Sequence, residues 1–262
     1  MHSCEAMLAQ LETLVMSAGE AVMAIYQSDF TVTSKQDQSP LTEADLAANA
    51  IIHRGLQEIS TWPILSEEDK HIPWQQRQTW SHYWLVDPID GTKEFINQSG
   101  EFTLNIALIE NGRPVLSVVY APALKVLYSA AQKHGAWKTS EQMRHTLDVN
   151  TLANHYQRAL VSRSHTSKEA VVLSAVYPVI EFVCMGSSLK LCAVVDGQAD
   201  IYLRLGPTSE WDTAAAQCVV ECAGGHVLTS QLQSLTYNQK DSLLNPAFVV
   251  SRTLDTQLHN LF

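Results

Sequence analysis

The sequence predicts an α/β protein, and three observations carry that prediction. Residues 4–27 place Leu8, Leu11, Val15, Ala18, Val22 and Ile25 at the three-and-four spacing of one helix face. Runs rich in Val, Ile, Leu and Tyr, separated by turn residues, read as strands through the middle of the chain. Beyond residue 158, strand-like runs lead into hydroxyl- or glycine-bearing turns and then into helices.

The elements follow in order. After the first helix, Phe30-Thr31-Val32-Thr33 reads as a short strand. Leu41-Thr42-Glu43-Ala44-Asp45 opens a second helix that runs to about Ile59, with Thr42 and Asp45 at capping-box spacing. Pro63-Ile64-Leu65 is a short apolar strand that ends in Glu67, Glu68 and Asp69, and strand ends are where α/β folds place ligands. Tyr83-Trp84-Leu85-Val86 is a buried strand running into Asp87-Pro88-Ile89-Asp90-Gly91-Thr92-Lys93-Glu94-Phe95. Proline fixes φ and glycine opens tight backbone paths, so a sharp turn is expected within this string. Such a turn points Asp87, Asp90 and the Ile89 carbonyl at one spot, a hard-oxygen set suited to Mg²⁺.

Phe102–Glu110, Pro114–Tyr120 and Lys125–Ala131 form an antiparallel meander, continued at its edge by Gly135–Lys138. The polar stretch 139–157 is the expected crossing between two halves, 1–150 and 151–262. In the second half, Ala159-Leu160-Val161 enters Ser162-Arg163-Ser164-His165. Phe182–Met185 leads to Gly186-Ser187-Ser188-Leu189-Lys190, where free N–H groups at a helix start and a lysine suit an anion. Trp211-Asp212-Thr213 opens an Ala- and Val-rich helix to about Ala223, stopped by Gly224-Gly225. The strand Ala247–Ser251 and a short helix close the chain.

Composition narrows the function. A chain of 262 residues with 46% hydrophobic and 17% charged residues holds one large domain or two small ones. A net charge of -10 argues against a nucleic-acid polymer as partner, though not against a small nucleotide. Five cysteines without disulfide-like spacing suggest a reducing compartment, and Cys218 and Cys222 read as helix packing rather than zinc ligands. There is no basic segment followed by an apolar one at the N-terminus, and no uninterrupted apolar run of about 18–20 residues. A cytoplasmic location is expected; peripheral association with the cytoplasmic face of the inner membrane and the oligomeric state stay open.

The string Asp87–Phe95 resembles the signature of the lithium-sensitive, magnesium-dependent phosphatase superfamily that includes inositol monophosphatase. Its Gly-Thr-Lys-Glu-Phe continuation is most similar to the bacterial 3′(2′),5′-bisphosphate nucleotidase branch. The resemblance extends to Thr42-x-x-Asp45, Glu67-Glu68, Ser162–His165 and Trp211-Asp212-x-Ala214, in the family's order. It implies a layered αβαβα sandwich of two sub-domains with the site between them. It implies two or three Mg²⁺ ions held by Glu67, Asp87, the Ile89 carbonyl, Asp90 and Asp212. Thr92, paired with Asp45, would activate a water, and the N–H groups of Gly91 and Thr92 would cradle the phosphate. Ser162, His165, Gly186 and Lys190 would form the nucleotide pocket, with Glu67, Asp90 and Asp212 also facing the substrate. The implied reaction removes the 3′-phosphate of adenosine 3′,5′-bisphosphate, a by-product of sulfate activation, and extends to 3′-phosphoadenosine 5′-phosphosulfate. Asp45 is equally readable as a helix cap, and both roles are compatible. The competing readings are an inositol monophosphatase with the same metal ligands, a silent nucleotide- or metal-sensing module, and acids serving merely as caps and turns.

Overall fold

The computed structural model describes residues 3–34, 40–69, 72–152, 157–162 and 168–262. The N-terminal helix α1 (Cys4–Tyr26) starts at Ser3, whose hydroxyl accepts from the Ala6 N–H at 3.2 Å. A two-stranded ribbon, β1 (Val32–Ser34) with β2 (Pro40–Thr42), leads into α2 (Glu43–Ile59). Then follow β3 (Ile64–Ser66), a 3₁₀ turn Glu67–Asp69, α3 (Trp74–Arg77), β4 (His82–Asp90) and α4 (Thr92–Ile96). The meander comprises β5 (Thr103–Glu110), β6 (Arg113–Ala121), β7 (Val126–Ala131), β8 (Gly135–Ser140) and β9 (Met143–Leu147). These form a seven-stranded sheet ordered β3-β4-β5-β6-β7-β8-β9, antiparallel except for the parallel pair β3 and β4.

The second sheet is built from β10 (Arg158–Ser162), β11 (Glu181–Met185), β12 (Ile201–Arg204), β13 (His226–Thr229) and β14 (Phe248–Ser251). Its order is β11-β10-β12-β14-β13, parallel around β10 and antiparallel around β14. The helices here are α5 (Lys168–Val176), α6 (Leu189–Val195) and α7 (Ala214–Cys222), with a final 3₁₀ turn Leu258–Leu261.

Three cores order these elements into five layers. Because strand side chains alternate faces, Trp84 and Val86 of β4 join Leu11, Val15 and Ile52 of α1 and α2, while Tyr83 and Leu85 face the other way. Those two meet Leu191, Val194, Cys218 and Val219 of α6 and α7, which also cover Leu160, Tyr202 and Val250 of the second sheet. The outer face of that sheet packs Ala159, Leu203 and Val249 against Leu173 of α5 and Leu258 and Leu261. The order is therefore helix, sheet, helix, sheet, helix, the sandwich that the resemblance implies. By length and composition alone α1 is able to cross a membrane. Here Leu8, Leu11, Val15, Ala18 and Val22 are buried in the core instead.

Three details differ from the sequence reading. Residues 143–147 form the edge strand β9, so β8 is interior and the crossing begins later. Met143, Arg144, His145 and Thr146 are exposed, so polarity there marked an edge rather than a connection. Strands β12 and β13 have only four residues each, too short to display a period. Lastly, Asp87–Asp90 is not a sharp turn: β4 runs through it with a register shift, and the chain turns at Gly91.

Candidate active site

The end of β4 places the first acids. Asp87 pairs with Asn105 and Asp90 with Thr103 across the β4–β5 ladder, and the irregularity between them absorbs Pro88, which has no N–H to donate. Gly91 then takes a left-handed conformation, φ 88°, and starts α4. A Cβ at Gly91 would lie 3.3 Å from the Glu101 carbonyl, Glu94 Oε2 and Ser187 Cβ, so glycine answers both the backbone angle and the crowding. Asp212 arrives from the other half on a 3₁₀ turn, Glu210–Asp212, its carboxylate accepting from the Ser209 N–H at 2.8 Å.

Oxygens of Asp87, Asp90 and Asp212 lie within 4.8 Å of one another. Burial raises the Asp87 carboxyl well above its ordinary range, and Glu67, Asp90, Asp212 and Asp45 raise it further. Burial likewise raises Asp212, with Asp90 next, against a lowering by the Ser209 N–H. Asp90 is pushed up to about 6 by burial, with Lys190 and the Ser188 N–H pulling it back and Glu67 and Glu94 pushing it up. Asp87 Oδ1 is buried without a hydrogen-bond partner. An orphaned carboxylate oxygen among mutually repelling carboxylates fits a hard cation, and the all-oxygen donor set favours Mg²⁺ over zinc.

The other predicted acids stand further out. Glu67, in the 3₁₀ turn after β3, is outside the tight cluster but close enough to raise all three of its members. Asp45 is buried, and its Oδ2 accepts from the Thr42 N–H at 2.8 Å and the Thr42 hydroxyl at 2.6 Å, as the capping spacing predicts. The expected pairing of Thr92 with Asp45 is not the geometry observed. The Thr92 hydroxyl donates instead to the Ile89 carbonyl at 3.4 Å, because α4 folds it back over the strand end it has just left.

The acids open onto a cleft that Asp90, Gly91, Lys93, Glu94 and Asp212 line together with Ser162, Ser187, Ser188, Lys190, Tyr202 and Arg204. Ser162 and Lys190 are both part of this lining. Lys190 is buried, its Nζ donating to the Ser187 carbonyl at 2.7 Å and lying 5.5 Å from the centre of the Tyr202 ring. Burial lowers its pKa to about 8, with Asp90 resisting and Arg204 adding to the fall. Gly186 is not part of the lining. Its N–H donates to Glu101 Oε2 at 2.8 Å, and a Cβ there would meet the Glu101 carbonyl at 2.8 Å, so it serves the close approach of the two halves. His165 lies outside the described residues. Sequence reasoning missed Arg204, whose strand β12 is too short to read and whose side chain carries no motif. Its Nε is buried without a partner.

The family model of the inositol monophosphatase family matches residues 4–262. The chain belongs to that family. It is 46% identical over 248 residues to the 3′(2′),5′-bisphosphate nucleotidase CysQ of Salmonella typhimurium, covering 94% of this chain and 99% of that one. It is 38% identical over 250 residues to the protein of the same name from Haemophilus influenzae, covering 94% and 93%. The crystal structure of CysQ from Bacteroides thetaiotaomicron superposes with a TM-score of 0.81 at 37% identity, covering 94% and 97%. A Thermotoga maritima inositol monophosphatase shares the fold, with a TM-score of 0.78 at 22% identity, covering 95% and 94%.

Proposed function

We propose that this chain is a Mg²⁺-dependent phosphoric monoester hydrolase that removes the 3′-phosphate of adenosine 3′,5′-bisphosphate, releasing AMP and phosphate. The observation that carries the reading is the convergence of Asp87, Asp90 and Asp212 beside a cleft whose lining also includes Lys190 and Arg204. The names of the relatives above support the same substrate class.

Glu67, Asp87, the Ile89 carbonyl, Asp90 and Asp212 would hold the ions. Bound there, Mg²⁺ supplies Lewis-acid polarisation of the phosphate and a lowered pKa for water. Thr92 and Asp45 orient the attacking water and take its proton; a hydroxyl is a weak base, so Thr92 acts with the carboxylate behind it. To do so Thr92 must give up its hydrogen bond to the Ile89 carbonyl. The Gly91 and Thr92 amides face the reacting phosphate. The water oxygen bonds to phosphorus as the bond from phosphorus to the 3′-oxygen breaks; that oxygen takes a proton from solvent and leaves as the ribose hydroxyl, and Asp45 returns the attacking water's proton to solvent.

Lys190 and Arg204 hold the 5′-phosphate, while Ser162, with His165 beyond it in the chain, serves the nucleoside. The buried, unpartnered Arg204 Nε supports this, since a donor of that kind gains most from an anionic ligand. The same two cations suit 3′-phosphoadenosine 5′-phosphosulfate, which ties the enzyme to sulfur assimilation. In this reading residues 1–150 and 151–262 are sub-domains, the first supplying most acids and the second Asp212 and the cations. Free cysteines at all five positions agree with a reducing cytoplasm. Phosphate release should need Mg²⁺ and fall on titration with Li⁺. Full activity after exhaustive chelation, or faster turnover of inositol phosphate than of the bisphosphate, would contradict the proposal.

A further inference from the structure

Where the start of β5 meets the start of α6, beside the cleft, lies a closed ring of hydrogen bonds. Thr103, Asn105 and Ser188 are 0%, 1% and 2% exposed. The hydroxyl oxygens of Thr103 and Ser188 are 2.8 Å apart, Ser188 Oγ lies 2.7 Å from Asn105 Oδ1, and Asn105 Nδ2 lies 3.1 Å from Thr103 Oγ1. Asn105 Nδ2 also donates to the Thr103 carbonyl at 3.4 Å, and that acceptor fixes which end of the amide faces Thr103.

The proton positions follow. An amide oxygen has no proton, so Ser188 donates to Asn105. A hydroxyl has one proton, so Thr103 must be the donor to Ser188, and Asn105 donates to Thr103. Each member gives and receives once round the ring, an arrangement in which each bond polarises the next.

Its place in the fold is specific. Asn105 and Thr103 are the cross-strand partners of Asp87 and Asp90. Ser188 belongs to the second half, two residues before Lys190, and its backbone N–H bonds the Asp90 carboxylate. The preceding residue, Ser187, sits at φ 48°, a left-handed conformation that a non-glycine residue holds only when its surroundings impose it. Apolar packing and hydrogen bonds such as Gly186 N–H to Glu101 also join the halves, but the ring is the contact that ties Ser188 to the cross-strand partners of Asp87 and Asp90.

We infer that this ring sets where the Lys190-bearing segment 187–191 sits against the acid-bearing end of β4, making Thr103 and Asn105 positioning residues for a substrate that must meet both. The inference rests on the bisphosphate reading for its substrate, while the ring itself does not. Thr103→Val keeps the shape and removes the hydroxyl; Thr103→Ser keeps the hydroxyl. Hydrogen exchange of the amides at 187–191 and the KM for adenosine 3′,5′-bisphosphate are measured in both. Thr103→Val should speed that exchange and raise that KM, each by about tenfold, the loss of roughly one buried hydrogen bond, with exchange in β6 and β7 unchanged. Thr103→Ser should stay within about twofold of wild type in both, since the donor is kept. Ser188→Ala, which leaves β5 intact, should match Thr103→Val in exchange. Wild-type exchange in both Thr103→Val and Ser188→Ala would overturn the inference, as would equal defects in Thr103→Val and Thr103→Ser. Failure of Thr103→Val and Ser188→Ala to fold, with Thr103→Ser intact, would also overturn it by making the ring a folding element. A wild-type chain inactive on the bisphosphate would sink the substrate reading, and the exchange data would still decide the ring.

Discussion

The acids and the cations at the cleft are built in by different means. Asp87, Asp90 and Asp212 come from two distant stretches of chain and are pressed together against their own repulsion, each held above its ordinary carboxyl pKa. Lys190 and Arg204 sit near one another on α6 and β12, and Lys190 is braced by the Ser187 carbonyl and the Tyr202 ring. The acids form a site that only added positive charge completes. The cations are already partly satisfied, Lys190 by the Ser187 carbonyl and Arg204 by the Pro207 carbonyl, and are proposed to meet a second anion. In the proposed reading the metal and the reacting phosphate belong with the acids, and substrate choice belongs with the cations.

The most forceful way to break this comparison is to remove one acid. Asp90→Asn or Asp212→Asn should cut turnover by more than about 10³-fold, because several kcal/mol of charge stabilisation leave with the metal. The same variants, freed of one buried repelling charge, should melt no lower than wild type when both are metal-free. Near-normal turnover in either variant would remove these residues from the ligand set. Next comes Thr92→Ala, expected to lower kcat by about 10²–10⁴-fold while calorimetry finds Mg²⁺ affinity retained. Metal binding lost in step with activity would make Thr92 part of the metal site.

A smaller effect sharpens the electrostatic half. In the metal-free protein Asp90 titrates near 6, above its ordinary value of 3.8. The folded state therefore binds this proton more tightly than the unfolded state does. The resulting stability is present at low pH and lost as pH rises from 3.8 to about 6. The difference in melting temperature between wild type and Asp90→Asn isolates the group: wild type should lose ground across that window without Mg²⁺. The opposite slope would mean that Asp90 is already neutralised in the fold.

How much of this was legible in the sequence follows the same division. Asp87–Phe95 announces itself because a buried strand ending in two acids, a proline and a glycine restricts the backbone and the chemistry together. Its sequence does not show that the strand continues to Asp90, since the register shift depends on pairing with β5. Thr42 and Asp45 reveal their contact by spacing, which is local. Arg204 and the ring of Thr103, Asn105 and Ser188 are invisible to any local rule. Their partners lie on other strands, and each residue type is ordinary where it stands. Gly186 misled for the same reason, because a glycine before hydroxyls suits an anion site and a close inter-half contact equally well.

The most direct test of the division is substrate-selective. Adenosine 3′,5′-bisphosphate and adenosine 3′-monophosphate present the same reacting group and differ in the second phosphate. Lys190→Ala and Arg204→Ala should each raise the KM for the bisphosphate by about 10–150-fold, the equivalent of about 1.5–3 kcal/mol for one charged hydrogen bond. Turnover of the monophosphate should change little, so the preference between the two substrates collapses. Equal losses on both substrates would place the cations at the reaction centre and contradict a cleft with one set of groups for the chemistry and another for the choice of substrate.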